Sequence, residues 1–291
     1  MTTRVEVAYQ SNNRLGETPL WCGRTNRLWW VDIEEPTLHC LDPASGVHKQ
    51  QSQAASFLGS CALCETGGLL LAVDLGLHHR RLPDVPLVAL AQVEKGLDNR
   101  LNDGRVDQRG RLWIGTMDNA LHRPNGSLYR VDPDGTVVRA FGDVIVSNGI
   151  AFSPQGTTLY FTDTRRHRTW SFDLDLDDGV LHNRRPFADF TSDRQRPDGT
   201  CIDQDGCIWM AFFGGGTIGR YTPGGRLDRV IELPVTNPTC LCFGGSELDT
   251  LYVTTAWKFL TDEQRAAEPL AGSLLAIEGV GKGLPENRFA L

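Results

Sequence analysis

The stretch that decides the fold is Arg100-Leu-Asn-Asp-Gly-Arg-Val-Asp-Gln-Arg-Gly-Arg-Leu-Trp-Ile-Gly-Thr-Met117. Its segment Gln108-Arg109-Gly110 is typical of a tight turn, because glycine and polar residues tolerate the backbone angles that turns require. The segment Leu112-Trp113-Ile114 is typical of the apolar centre of a β-strand. The stretch therefore predicts two strands joined by a turn, preceded by a polar segment.

The same pattern returns between Arg196 and Phe212. Three features match in the two stretches: Asp107-Gln108 with Asp203-Gln204, Gly110 with Gly206, and Trp113 with Trp209. Counting back from these matches, Asn102 falls on Asp198. A side chain that can bind a cation therefore recurs at one position of a sequence repeat.

An aromatic residue or leucine at the centre of a predicted strand recurs along the whole chain. It is found at Trp29, Leu70, Trp113, Tyr160, Trp209 and Tyr252. The intervals run from 41 residues (29 to 70) to 49 residues (160 to 209). Further strand-like segments and turn-forming clusters follow most anchors, which gives about four short strands in each period of 40–50 residues, as in a β-propeller blade. We predict an all-β, six-bladed β-propeller of four-stranded blades around an axial channel, with residues 1–291 as a single domain.

The two ends of the chain are both strand-like. We expect one of the segments Arg4–Tyr9 and Glu286–Leu291 to complete the blade of the other, which closes the ring and removes the open sheet edges. A short helix is expected within residues 261–268, capped by Thr261 or Asp262, as one or two turns inside a loop.

Composition narrows the possible partners. The chain has a net charge of -7, which argues against a nucleic-acid partner and gives no attraction to anionic membranes. No stretch approaches the about 18 apolar residues of a membrane-spanning helix. The first residues, Met1–Tyr9, lack the apolar segment of a signal peptide. We expect a cytoplasmic protein and take a monomer as the default, since the sequence does not specify the oligomeric state.

Residues at the start of each inner strand should converge at one end of the channel. Counting back from the turns, this position is occupied by Glu17, Gly59, Asn102, Asn148, Asp198 and Thr239. Four of the six are oxygen donors of the kind that Ca²⁺, Mg²⁺ or Mn²⁺ prefer, and two carboxylates would repel each other without a cation between them. The alternative is a polar, water-filled channel whose Asn and Asp side chains only bind backbone groups of turns.

Two short sequence motifs match known binding patterns but lack the context that these patterns require. Gly214–Gly219 fits a dinucleotide-binding pattern, but no helix follows it. Asp173–Gly179 resembles a calcium-binding loop, although it has glycine at the seventh position and is better interpreted as a blade hairpin. His122 belongs to a loop that could reach the channel mouth, and it could equally be a solvated turn residue.

Several motifs together resemble the family of SMP-30, gluconolactonase and regucalcin-like proteins. They are Gly16-Glu-Thr-Pro-Leu-Trp21, Arg100-Leu-Asn-Asp-Gly104, Gly110-Arg-Leu-Trp-Ile-Gly-Thr-Met117, Ser147-Asn-Gly-Ile-Ala-Phe-Ser-Pro154, Pro197-Asp-Gly199 and Leu251-Tyr-Val-Thr-Thr255. The resemblance covers nearly the whole chain. It implies a six-bladed propeller with one divalent ion in its channel, and hydrolysis of a sugar lactone as the activity.

Residue by residue, the resemblance implies that Glu17, Asn148 and Asp198 bind the metal, that Arg100 and Asn102 contact the substrate, and that Asp198 is also the general base. Ca²⁺ is the first choice of ion, and Zn²⁺, Mn²⁺, Mg²⁺ and Fe²⁺ are alternatives. The expected substrates are pentono- and hexonolactones such as arabino-, xylono-, galactono- or gluconolactone. Arg196 departs from the neutral or aromatic residue expected in many relatives, which could alter substrate preference.

Two other functions stay open at this point. One is hydrolysis of other esters or of organophosphates on the same scaffold, since an ion that polarises a lactone also polarises other esters. The other is a calcium-binding regulatory propeller without catalysis. Comparison of hydrolysis rates on lactones and organophosphates, with and without metal, distinguishes the three.

Overall fold

A computed structural model describes residues 4–81 and 85–291. The strands are β1 (Arg4–Tyr9), β2 (Gly16–Cys22), β3 (Arg27–Asp32), β4 (Thr37–Leu41), β5 (His48–Ser52), β6 (Leu58–Leu63), β7 (Leu69–Val73), β8 (Gly76–Arg80), β9 (Val88–Gln92), β10 (Asn99–Val106), β11 (Leu112–Asp118), β12 (Gly126–Val131), β13 (Val137–Val144), β14 (Ser147–Phe152), β15 (Thr158–Asp163), β16 (Arg168–Asp175), β17 (Val180–Asp189), β18 (Pro197–Ile202), β19 (Ile208–Phe212), β20 (Thr217–Tyr221), β21 (Leu227–Glu232), β22 (Pro238–Gly244), β23 (Thr250–Thr255) and β24 (Leu274–Glu278).

These strands form six antiparallel sheets of four strands, arranged in a ring. Blades one to five are the consecutive groups β2–β5, β6–β9, β10–β13, β14–β17 and β18–β21. Blade six has the order β1-β24-β23-β22, so the first strand of the chain is the outer strand of the last blade. The predicted six-bladed propeller is confirmed, and the N-terminal segment is the one that closes the ring.

The repeated Asp and Trp of blades three and five explain the sequence pattern. The Trp113 indole Nε1 donates to the Asp107 carboxylate over 2.9 Å, and Trp209 Nε1 donates to Asp203 over the same distance. Each carboxylate also accepts backbone N–H groups of the turn that follows it. One aspartate therefore holds the turn between the first two strands and anchors the buried tryptophan of the second, which requires both residues at a fixed spacing.

The core lies between neighbouring blades. Inner strands such as β14 are buried along their whole length, whereas the outer strands β13 and β21 are largely exposed to solvent. Trp113 and Leu128 of blade three, for example, pack in one cluster with Ile150 and Phe161 of blade four. Since each blade covers the face of the next, the ring buries apolar surface at every interface, which is the main stabilising contribution in such a fold.

The C-terminal segment differs from the expectation of a strand. It forms only an isolated parallel bridge between Phe289 and Cys64, although the Phe289 side chain is fully buried. The Arg105 guanidinium binds the Glu286 carboxylate over 2.7 Å, where both side chains are largely buried. The segment therefore lies across the end of the channel where the inner strands finish, and it bonds to turns of blades two and three instead of extending a sheet.

The predicted helix is present as α1 (Asp262–Ala267). Thr261 caps it, with Gln264 completing a reciprocal capping box. The only other helical segment in the described residues is a single 3₁₀ turn, Thr164–Arg166. Neither of them has the length and apolar character that crossing a bilayer would require, and this holds for every helix in the described part of the chain.

A buried histidine in blade one carries a pH-dependent contribution to stability. His39 is 3% exposed, stacks on Trp30 with ring centroids 4.8 Å apart, and lies within 3.1 Å of His48 through their ring nitrogens. Burial, with repulsion from His48, lowers the pKa of His39 to about 3. The folded protein therefore keeps this ring neutral where the unfolded chain protonates it.

We expect the free energy of unfolding to fall as the pH drops from about 6.5 towards 3, by up to about 1.4 kcal/mol per pH unit from His39 alone. The sign follows because the unfolded chain binds more protons than the folded protein over this range. Urea unfolding at pH 7, 6 and 5 should show a shallower slope for His39→Gln than for the wild type. His182→Gln, at an exposed histidine, serves as the matched control and should keep the wild-type slope.

Candidate functional site

All six inner strands share an irregularity at the same place. The pairing register with the second strand shifts between Glu17 and Leu20, Leu58 and Ser60, Leu101 and Gly104, Asn148 and Ala151, Pro197 and Thr200, and Pro238 and Cys240. Such bulges re-aim side chains and occur often beside active sites. The repeat position predicted from sequence therefore coincides with a bulge in every blade.

Gly59 and Thr239 occupy two of these six positions. Their contacts join neighbouring blades, and neither offers a carboxylate or amide oxygen to a metal ion. A Cβ on Gly59 would come within 2.3 Å of the Leu101 carbonyl oxygen, so only glycine lets blade three pack this closely on blade two. The Thr239 hydroxyl donates to the Gly16 carbonyl and is hydrogen-bonded to Thr254 over 2.8 Å. These contacts explain why the polar cluster draws on four blades rather than six.

The two carboxylates at this level are Glu17 and Asp198, each 5% exposed and lining the same cavity of about 90 Å³. Burial raises the pKa of Glu17 to about 8, with a further contribution from the buried Asp103 carboxylate, although the Thr18 backbone N–H donates to Glu17 over 2.9 Å. Burial raises the pKa of Asp198 in the same way, with repulsion from Glu17 and Asp103. No donor among the described residues is hydrogen-bonded to the Asp198 carboxylate, which is therefore available to a ligand.

Asn148 is held in place from both sides of its amide. Its Oδ1 accepts from the Asn102 Nδ2 over 2.8 Å, and its own Nδ2 donates to the Thr164 hydroxyl over 2.9 Å. That hydroxyl in turn donates to the Pro197 carbonyl, directly before Asp198. Because Nδ2 is used as a donor, Oδ1 is fixed as the atom that remains near the cavity, and its second lone pair can serve a cation.

Arg100 and Asn102 form a pair within the same cavity. One terminal nitrogen of Arg100 donates to the Asn102 Oδ1 and to the Leu101 carbonyl, the latter over 3.1 Å. Of the five N–H groups of a guanidinium, the three on Nε and the other terminal nitrogen then remain for a substrate. Asn102 donates to Asn148 and over 2.7 Å to the Ser147 carbonyl, so only an acceptor lone pair remains to it. Asn102 thus orients its two neighbours.

Asp103 is a site residue that the repeat position did not reveal. It is 4% exposed, and its carboxylate accepts the Ile150 backbone N–H over 2.8 Å, which ties blade three to blade four. It also raises the pKa of both cavity carboxylates. Asp103 directly follows Asn102 in the sequence. Because successive side chains of a strand are expected on opposite faces, Asp103 is not expected on the same side as Asn102, and the repeat position therefore does not point to it.

Most of the apolar lining of the cavity is buried, whereas several of its cations are more exposed to solvent and form its rim. The apolar lining comes from Leu15, Ile33, Met117, Leu121, Val146, Phe213 and Phe259. Besides Arg100, three cations line the cavity: Arg165, Arg196 and Lys258. His122 is outside it, because its ring is exposed and lies 2.8 Å from the Ala120 carbonyl. Of the two residues that the sequence suggested might shape the site, the structure thus brings Arg196 to the cavity and leaves His122 outside it.

The donor set fits a hard divalent cation. Glu17 and Asp198 supply carboxylate oxygens and Asn148 an amide oxygen, and a bound cation would relieve the repulsion between the two buried carboxylates. The described residues contain no cluster of three or more His, Cys, Asp or Glu side chains suited to a metal. An ion here would therefore depend on the amide of Asn148 as much as on the carboxylates.

Comparison with known proteins gives a consistent result. The sequence profile of the SMP-30/gluconolactonase/LRE-like region matches residues 15–257. The chain is 38% identical to a 6-deoxy-6-sulfogluconolactonase of Pseudomonas putida, with 100% of both chains covered. It is 34% identical to regucalcin of Gallus gallus, covering 99% of each chain.

Among solved structures, that of a calcium-binding protein, regucalcin, from Agrobacterium tumefaciens is similar throughout. It superposes with a TM-score of 0.93 at 34% sequence identity, covering 98% of this chain and 97% of the other. The similarity therefore extends over both the ring of blades and the connections between them.

Proposed function

Because the chain belongs to the SMP-30/gluconolactonase/LRE-like family, we propose that it hydrolyses a sugar lactone to the corresponding aldonic acid with the help of one divalent metal ion. The substrate would be a pentono- or hexonolactone such as arabino-, xylono-, galactono- or gluconolactone. The observation that carries this proposal is the Asp198 carboxylate, which is buried, without a hydrogen-bond donor in the described residues, and in one cavity with Glu17 and Arg100.

Glu17, Asn148 and Asp198 would hold the ion, with Ca²⁺ as the first choice. A divalent ion in such a site polarises a carbonyl group and lowers the pKa of a bound water. A lining of apolar side chains with a few convergent polar groups is typical of small-molecule sites.

Asp198 is the residue that would accept a proton from the attacking water. Its carboxylate has two oxygens, so one can hold the ion and the other can take the proton. Burial lowers the pKa of the Arg100 guanidinium to about 10, so that it still carries its charge near neutral pH. Arg100 would donate to oxygens of the sugar, while Asn102 fixes the direction of that guanidinium and so the orientation of the ring.

A second candidate is a calcium-binding protein without catalysis. The description of the Agrobacterium tumefaciens relative as a calcium-binding protein favours it. Both candidates use the same donor set, and they differ in whether a lactone bound beside it is hydrolysed.

A panel of lactones separates these candidates. In a pH-stat assay on aldono-1,4- and aldono-1,5-lactones, we expect hydrolysis of at least one member far above the spontaneous rate. Removal of the ion by a chelator should lower the rate by at least about 100-fold, since metal activation is worth several kcal/mol. Adding back single ions identifies the one that restores activity.

Organophosphate esters in the same panel test the wider ester-hydrolase alternative. Calcium binding without any increase in lactone hydrolysis would contradict the proposed activity and support the second candidate. Hydrolysis that is unaffected by the chelator would contradict the proposed role of the metal.

A further inference from the structure

The rim of the cavity carries an excess of positive charge in a protein whose net charge is -7. Arg165 and Arg196 both line it. Lys258 lines it as well and shares the Glu34 carboxylate with Arg14, which binds Glu34 over 2.9 Å. Two cations thus share one carboxylate there, and the two arginines add to this excess.

Neither arginine is neutralised by an ion pair within the described residues. The Arg196 Nε donates to the Phe213 carbonyl over 3.1 Å, and its guanidinium lies 5.1 Å from the Phe213 ring centroid. The Arg165 Nε donates to the Leu121 carbonyl over 3.0 Å. Each side chain is therefore positioned by a carbonyl that carries no full charge, and the terminal nitrogens of both guanidiniums are left for another partner.

The local backbone fixes where these two side chains begin. Arg165 belongs to the 3₁₀ turn Thr164–Arg166, and its backbone N–H donates to the carboxylate of the capping residue Asp163. Arg196 directly precedes β18 and is half-buried. A bulkier residue at Gly214 would meet the Arg196 guanidinium, with a Cβ only 1.9 Å from its terminal nitrogen. The rim cations are thus built into the packing around the cavity.

Arg165 lies close enough to Arg196 for the two positive charges to repel each other. Burial lowers the pKa of Arg196, and repulsion from Arg165 lowers it further, against attraction from Asp198. In the proposed reaction that carboxylate is engaged with the ion and the attacking water. An anion between the two guanidiniums would relieve their repulsion and gain charge-assisted hydrogen bonds, for which the planar guanidinium is well suited.

We infer that the cavity takes a sugar lactone with an anionic group at the end farthest from its carbonyl, and that Arg196 and Arg165 bind this group. This inference rests on the proposed function, which sets the lactone carbonyl beside the buried Asp198, whereas Arg196 is half-buried and Arg165 is exposed. Arg196 stands two residues before Asp198, towards the mouth, so it meets the substituent that points away from the reacting bond. The chemical class is a phosphate, a sulfonate or a carboxylate. Arg196 carries the larger share, since Arg165 is exposed and its interaction is weakened by solvent.

The test compares four substrates by kcat/KM: glucono-1,5-lactone, its 6-phosphate, its 6-deoxy-6-sulfonate, and glucaro-1,4-lactone with a distal carboxylate. We expect at least one charged lactone to be preferred to the neutral one by tenfold or more. The preference should weaken at high ionic strength, because salt screens the attraction at an open rim. The three charged members show which anion the rim selects.

Arg196→Gln should reduce the ratio of charged to neutral kcat/KM by about 10- to 100-fold, the range for a lost hydrogen bond to a charged group. Arg196→Lys keeps the charge and should recover part of the ratio. Arg194→Gln is the matched control: Arg194 is exposed in the same connection, lies outside the cavity lining and should leave the ratio at its wild-type value.

Hydrolysis of the neutral lactone at an equal or higher kcat/KM than every charged one overturns the inference and leaves the proposed function standing. If no lactone is hydrolysed, the proposed function fails. Calorimetric titration with 6-phosphogluconate and gluconate then tests, independently of activity, whether the rim binds an anionic group. Tighter binding of 6-phosphogluconate that is lost in Arg196→Gln supports the anion site. Equal affinities for the two acids overturn it.

Discussion

Replacement of Asp198 by asparagine is expected to lower kcat for lactone hydrolysis by about 10²- to 10⁴-fold, the usual contribution of a general base. The amide has nearly the same size as the carboxylate and keeps one oxygen for the ion, but it cannot accept the proton of the attacking water. The side chain is 5% exposed and accepts no hydrogen bond from the described residues, so the substitution breaks no packing or bonding that the fold depends on. The substitution should therefore lower kcat without lowering the stability of the fold.

The measurement is kcat at saturating metal, together with the metal content of the purified variant. Asp193→Asn is the matched control, because Asp193 is exposed in the connection that leads to β18 and does not line the cavity. Turnover within about threefold of the wild type, with the ion bound to Asp198→Asn, would show that another group takes the proton.

A large loss of stability, about 3–5 kcal/mol, is expected for Trp209→Ala in blade five. Trp209 is fully buried and packs edge-to-face on Phe243 with ring centroids 6.2 Å apart. Its indole also donates to the buried Asp203 carboxylate, which loses this donor in the variant. The cavity left behind and the lost hydrogen bond both favour the unfolded state.

Trp29→Ala provides the comparison, because Trp29 is the anchor at the same repeat position in blade one but is only half-buried. One side of its ring is covered by the Arg80 guanidinium, 5.8 Å from the ring centroid. Urea unfolding should therefore give a clearly smaller loss than for Trp209→Ala. Equal losses at the two positions would contradict the role assigned to burial and to the Asp203 hydrogen bond.

The fold could be predicted because each blade repeats the same local chemistry. The spacing of Asp107, Gly110 and Trp113 specifies a turn and a buried strand, and its return at Asp203, Gly206 and Trp209 specifies a second copy. The repeat position also identified the residues that the structure brings together at one end of the channel. Their roles came from the resemblance to a family, since spacing alone does not distinguish a metal ligand from a group that binds backbone.

The rest of the cavity lay outside the repeat. Arg165, Lys258 and Phe259 come from connections between strands that differ in length from blade to blade, so no periodicity predicts where they point. The partly apolar sequence of the C-terminal segment predicts a strand. In the structure, Phe289 is instead buried against the turns of blades two and three. Its partners are distant in sequence, and a local pattern cannot specify them.

The pairing of β1 with β24 has a consequence for the order of folding. Arg4 lies opposite Glu278, so during synthesis β1 waits for a partner strand that lies 274 residues later in the chain (278 minus 4). At about 5–20 residues per second, this interval lasts roughly 15–50 s. The ring therefore cannot close before β24 has been synthesised. Until then the growing chain holds β1 apart from its final neighbour and presents the unpaired edge of an incomplete ring.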